Sequence, residues 1–169
     1  MSIPPSDAAV DPDRFRAAFR RLAGGVVVVT CWHEGRPWGL TVSSCSAVTA
    51  TPPRVLVSLQ RNTCSYAAIL DQGGFGLCLL HSEQKEVAEH AARTGAPKFL
   101  DDFCEPRRPD EAPVIRGSAA HLDCLLHRNF ELGDHALLIG DIREAALPED
   151  PQGPLVYFDR AYHRVGEPI

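Results

Sequence analysis

Residues 39–59, GLTVSSCSAVTATPPRVLVSL, commit this chain to β-structure. They read as two strands joined by a turn at Pro52-Pro53, the second of them, Arg54 to Leu59, strongly strand-prone. The first strand is unusually polar. Gly39, Thr41, Ser43, Ser44 and Ser46 put small side chains and hydroxyls where bulky apolar residues would normally pack. Small residues let a flat ligand lie against the backbone, and hydroxyls and exposed amides can bond its polar edge. An exposed edge strand has the same composition, so the stretch alone leaves both readings open.

The remaining sequence continues in strand-sized pieces. Residues 1–12 form a lead-in expected to be disordered, with one domain over 13–169. Asp11-Pro12 has the pattern of an N-cap followed by proline at the first helical position. Phe15, Phe19 and Leu22 then make one apolar stripe before Gly24-Gly25 stops the helix. A buried strand is predicted over Val26–Trp32, a turn over His33–Pro37 and a strand over Gly39–Val48. Val55–Gln60 and Phe75–Leu80 are strands flanking a short helix at Thr63–Leu70. Ser82 is placed as the cap of a helix reaching Ala92. Residues 96–113 make a long charged loop, of a length usually found in lids or dimer arms or else mobile. Ala119–Asn129 and Ala136–Ala146 form a long hairpin, and Leu155–Phe158 and Tyr162–Val165 are short closing strands. Mostly antiparallel strands with peripheral helices imply a closed or partly closed barrel.

A formal net charge of −5 argues against nucleic-acid or anionic-membrane partners. No apolar run approaches the roughly 18 residues needed to cross a bilayer, and with no signal pattern at the N-terminus the expected location is cytoplasmic. The six cysteines show no CxxC and fall singly, as reduced small hydrophobes do. His121, Cys124 and His127 are close in sequence, but strand alternation turns Cys124 away from the two histidines, and no metal is expected.

Four local features offer chemistry. The polar strand is one. Arg61-Asn62-Thr63-Cys64-Ser65 is the second: free amides at a helix start, with Asn, Thr and Ser side chains, suit a phosphate, although Asn62 or Thr63 capping the helix explains the same residues. Lys98, with Arg93 and His90, is the third, as a source of positive charge or simply a solvated face. The fourth is Gly133-Asp134-His135, which puts an imidazole at a barrel mouth. No GxSxG, P-loop or GxGxxG occurs, and no close carboxylate pair is evident. A bound cofactor would then supply the reactivity.

Taken in order, FRAAFRRLAGGVVVVT, GLTVSSCSAVTATPPRVLVSL, RNTCSYAAI, GGFGLCLLHSEQKEVAEHAA, Lys98-Phe99, GDHALLIGDI and PLVYFDRAYHRV resemble the flavin reductase-like family of FMN-binding split barrels. These are the reductase partners of two-component flavin monooxygenases. The resemblance covers about Phe15 to Val165. It implies a homodimer of six-stranded antiparallel Greek-key split barrels. FMN or FAD would be reduced by hydride transfer from NADH or NADPH and handed to a partner monooxygenase. It also implies that Gly39, Leu40, Thr41, Val42, Ser43 and Ser44 lie along the isoalloxazine. Ser58, Leu59, Gln60, Asn62, Cys64, Ser65 and Lys98 would approach the ribityl and phosphate. His135, Phe158 and Tyr162 would sit near the nicotinamide, with His135 in a positioning role. Cys45 and, beside His90, Ala91 stand where the family often has Phe, which puts the pocket's flavin preference in question. Two other readings stay open: a flavin carrier without pyridine-nucleotide activity, and a split barrel reducing a bound substrate such as a corrinoid or quinone directly.

Overall fold

The computed structural model describes residues 10–149 and 152–168; of the lead-in predicted over 1–12, residues 1–9 lie outside them, while Asp11 and Pro12 already form the N-cap and first residue of a helix. In chain order the elements are α1 (Pro12–Phe19), β1 (Gly24–Gly25), β2 (Val27–His33), β3 (Arg36–Val42), β4 (Cys45–Ala50), β5 (Pro53–Gln60), α2 (Cys64–Gln72) and β6 (Gly74–Leu79). They continue with α3 (Lys85–Ala92), β7 (Ala120–Leu132), β8 (His135–Ala146), β9 (Leu155–Phe158) and β10 (Ala161–Arg164).

Seven strands pair in the order β3-β2-β6-β7-β8-β5-β4, every neighbour antiparallel, and β1-β9-β10 form a small second sheet. The mainly β architecture with peripheral helices matches the expectation from sequence. The predicted single strand over Gly39–Val48 does not. It breaks at Ser43-Ser44 into β3 and β4, which are chain neighbours yet occupy opposite edges of the sheet. The break is forced by pairing: the ribbon serves β2 with its first half and β5 with its second. Counted as one ribbon, β3 and β4 reduce the seven strands to the predicted six. The Ser58 amide donates to the Ser44 carbonyl at 3.1 Å and the Ser44 hydroxyl to the Ser58 carbonyl at 2.8 Å, pinning one side of this seam.

Two cores explain the continuous apolar run that opens the barrel. Val27, Val29 and Cys31 point inward, to Val57, Leu59, Phe75, Leu77, Leu138 and the α2 residues Tyr66 and Ile69. Val26 and Val28 point the other way, onto Cys78, Leu80, the α3 residues Val87, Ala88 and Ala91, Leu100 and Ile115. A strand buried on both faces cannot alternate with polar residues. The β2–β3 turn needs only Glu34 and Gly35, both at positive φ (53° and 71°), as a two-residue hairpin requires.

The predicted Ser82 cap is replaced. Residues 81–82 are held to the C-terminal segment by the His81–Pro154 bridge and by the Ser82 amide donating to Gly153 O at 2.8 Å. The helix therefore starts later, at Lys85, with Gln84 as an N-cap that makes no side-chain capping bond. The 96–113 loop is tied down: Leu100 is fully buried, Trp32 Nε1 donates to Glu111 O at 2.8 Å and Thr30 Oγ1 to Pro113 O at 2.6 Å. The β7–β8 hairpin runs to Leu132, three residues past the predicted Asn129, and turns through Gly133-Asp134.

Candidate functional site

Three cavities lie end to end along the β3 ribbon. The largest, about 660 Å³, opens between the α2 N-terminus and residues 92–99, with Leu40, Gln60, Asn62, Cys64, Ser65 and Lys98 in its lining. It shares Ala92 with a cavity of about 220 Å³ walled by Thr41, Val42, Ser43, Tyr157 and Tyr162. Ser43 and Tyr157 are shared in turn with a cavity of about 500 Å³ that includes Ser44, Phe158 and, from α1, Phe15 and Phe19.

The cationic end is built by α2. Thr63 is its N-cap, its hydroxyl accepting from the Tyr66 amide at 3.3 Å and donating to Gln60 O at 2.8 Å. The Ala67 amide bonds to Thr63 O. That leaves the Cys64 and Ser65 amides, which helix geometry cannot pair internally, beside Asn62. Lys98 and Arg93 line the same cavity, and among the described residues neither makes an ion pair. Partial burial lowers the Lys98 pKa below its ordinary value, as for a cation short of water and of a counter-charge. Glu34 is the one carboxylate in the lining. Such a convergence of donors suits an anionic group such as a phosphate.

Several hydroxyls expected to face a ligand serve the protein itself. Thr41 Oγ1 donates to Ala88 O at 2.7 Å and clamps α3 onto β3; Ser44 is committed to Ser58. The Ser65 hydroxyl is buried without a nitrogen or oxygen partner, and its polar neighbour is the Cys31 thiol. The Ser43 side chain and the ribbon's main chain remain to meet a ring edge.

Some predicted site residues fall outside the groove. Gly39, Leu59 and Ala91 are buried in the cores, Gly39 so tightly that a Cβ there would come within 2.6 Å of Leu100. Cys45 packs on the barrel core, where burial pushes its pKa to about 11. Ser58 belongs to the seam. His90 bonds through Nε2 to Phe99 O at 2.8 Å, so it braces the loop instead of joining the Lys98 cluster. His135 lines none of the three cavities. It opens β8 opposite Gln60, and its Nδ1 meets Asp134 Oδ1 at 2.8 Å, a bond that holds the Asp134 carboxyl below its usual range. His121 is buried against Cys78 while His127 pairs with Asp141, and among the described residues no three ligating side chains converge on a metal position.

Sequence reasoning misses His33, Trp38 and Ala92, and values Phe99 only as part of a motif. All four line the 660 Å³ cavity. The Trp38–Phe99 bridge that unites β3 with the long loop joins residues some sixty positions apart, which no local pattern announces.

Comparison with known proteins agrees with this geometry. Residues 19–166 match the sequence profile described as flavin reductase like domain. The chain is 33% identical over 156 residues to the actinorhodin polyketide dimerase of Streptomyces coelicolor, spanning 91% of this chain and 86% of that one. It is 32% identical over 149 residues to the reductase component of the 4-nitrophenol 4-monooxygenase/4-nitrocatechol 2-monooxygenase of Rhodococcus opacus, spanning 88% and 78%. The NADH:FAD oxidoreductase of Streptomyces globisporus C-1027 superposes with a TM-score of 0.83 at 26% identity, over 97% of this chain and 100% of that one.

Proposed function

Because this chain belongs to the flavin reductase-like domain family, we propose that it is an NAD(P)H:flavin oxidoreductase that supplies reduced FMN or FAD to a partner monooxygenase. The observation that carries the reading is the row of adjoining cavities, with helix amides and cations that form no ion pair among the described residues in one and a small-residue shelf beside tyrosines in the next. Lys98, Arg93, Asn62 and the Cys64 and Ser65 amides would hold the phosphate. The Leu40–Ser44 ribbon would carry the ring, with Ser43 and main-chain groups toward its polar edge and Tyr157 and Tyr162 as the opposing wall. When bound, the flavin supplies the redox chemistry, accepting a hydride from the nicotinamide C4. The protein's share is orientation and electrostatic stabilisation of the charge that develops, with no side chain required to give or take a proton. His135, fixed by Asp134 and set beside Gln60, positions the reactants from the rim.

The chain acts as a homodimer in this reading. Phe15, Phe19 and Leu22 are 55%, 57% and 66% exposed, and β4 is exposed along nearly its whole length, so both surfaces suit a second protomer. A cytoplasmic location suits six free thiols and a reduced-nicotinamide donor. Among the described residues no helix is long and apolar enough to cross a membrane.

Anaerobic mixing of the purified protein with FMN or FAD and NADH or NADPH tests the proposal. Catalytic loss of the oxidised-flavin absorbance is expected. Flavin that binds but keeps its absorbance in the presence of either donor would overturn it in favour of a carrier.

A further inference from the structure

The roomiest of the three cavities is the one at the cationic end, and its lining holds three aromatic rings besides the anion-binding groups. The 660 Å³ cavity, against 220 Å³ at the middle of the ribbon, is lined by His33, Trp38 and Phe99 as well as by Lys98, and the three rings make one wall. We propose that this wall seats the adenine ring of FAD, and that His33 makes the chain select FAD over FMN. The inference rests on the flavin reading above and names which flavin.

The wall is rigid before any ligand arrives. Trp38 meets Phe99 edge-on at 4.9 Å and His33 meets Trp38 at 4.9 Å. Arg36 lies 3.8 Å over the Phe99 ring and is paired with Asp101 at 2.7 Å. Arg36 does not line the cavity, so it backs the ring from outside, while His33, which does line it, stacks toward Phe99 at 6.2 Å. The Leu100 amide donates to Pro37 O at 2.8 Å and the Gly39 amide to Lys98 O at 3.1 Å, locking loop and hairpin together. A pre-ordered aromatic surface binds a planar ring at little entropic cost.

The cavity carries both kinds of charge a dinucleotide needs. Lys98, Arg93 and the α2 amides supply the positive groups, and Glu34, next to His33, is the one carboxylate in the lining. A carboxylate there opposes a phosphate but accepts hydrogen bonds from an exocyclic amino group. His33 is the wall residue best placed to decide the matter. Its side chain is 30% exposed and its nearest carboxylate, on Glu34, is 4.0 Å away, whereas Trp38 belongs to the core. Removing it alters the wall without opening the barrel.

Equilibrium titration of oxidised FAD, FMN and ADP into the flavin-free protein, by calorimetry, is the test. FAD should bind about tenfold or more tighter than FMN, the scale of one base stacked on an aromatic side chain. ADP should compete with FAD. His33→Ala should bring the FAD affinity down to that of FMN while leaving FMN unchanged. Equal affinities for the two flavins in the unmodified protein would overturn the inference, as would a His33→Ala variant that weakens both alike or ADP that fails to displace FAD. Absence of binding by either flavin would instead remove the flavin reading, and this inference with it.

Discussion

The Ser65 hydroxyl is 1% exposed and meets no nitrogen or oxygen partner, although the residue sits at the second position of α2 in the cavity lining. A buried hydroxyl left unpaired costs about 1–3 kcal/mol relative to its hydrated state. Its contact with the Cys31 thiol returns part of that, because a thiol is a weak partner. Ser65→Ala should therefore stabilise the protein by about 1 kcal/mol, which for a domain of this size raises Tm by roughly 2–4 °C. It should leave flavin affinity unchanged, since what Ser65 offers a phosphate is its amide. Thr63→Ala, two residues away, should do the reverse. It removes the N-cap bond to Tyr66, costs about 1 kcal/mol and lowers Tm by a similar margin. Calorimetric melting of both variants beside the parent, with flavin titrations on each, reads both effects. A lower Tm for Ser65→Ala, or a tenfold loss of flavin affinity, would show that the hydroxyl turns toward the ligand and would refute the reasoning.

Three further outcomes are expected. His135→Ala should slow flavin reduction more than it weakens flavin binding, because His135 stands at the rim and outside the cavities; unchanged turnover with NAD(P)H would reject that role. Under native conditions an aromatic disulfide reagent should modify exposed Cys64 first, and bound flavin should protect it. Cys31, Cys104 and Cys124, whose pKa values burial pushes to about 12, should react only on unfolding, so a fast phase that flavin leaves untouched would contradict the placement of the phosphate end. Flavin affinity should fall as pH rises through the Lys98 pKa. That value lies below the ordinary lysine range, so the cation present at neutral pH is lost earlier in the alkaline range than a solvated lysine would be. Lys98→Met should bind more weakly at neutral pH and lose the alkaline step, and an identical step in that variant would assign the titration elsewhere.

How much of this was legible in the sequence depended on how local the physics was. The doubly buried run Val26–Trp32, the helix capped by Thr63 and the glycine-bounded turns follow from propensity and pattern, and they stand within a residue or two. The split at Ser43-Ser44 does not follow, because a ribbon that changes partners keeps its strand-like alternation while doing so. Ser82 carries a good capping side chain, yet the C-terminal segment takes its amide. In the candidate site, the grouping of Asn62, Thr63, Cys64 and Ser65 could be read because they are neighbours in sequence, whereas Arg93 and Lys98 join them only through the fold. The hydroxyls of Thr41 and Ser44, expected to face a ligand, are committed to Ala88 and Ser58, distant acceptors that composition cannot reveal. The aromatic wall exists only through the Trp38–Phe99 pairing.

The seam at Ser43-Ser44 has an engineering consequence. One-residue insertions normally flip a strand's faces, since its side chains alternate with period two. Ser44 is held to Ser58 on the β5 side, but Ser43 before it belongs to neither ladder, so the β2–β3 and β4–β5 registers are set independently on either side of it. Length can be added or removed there to widen or narrow the slot under a ligand while both halves of the barrel keep their alignment. The link acts as an adjustable spacer, a place along the ribbon where ligand size and barrel geometry can vary separately.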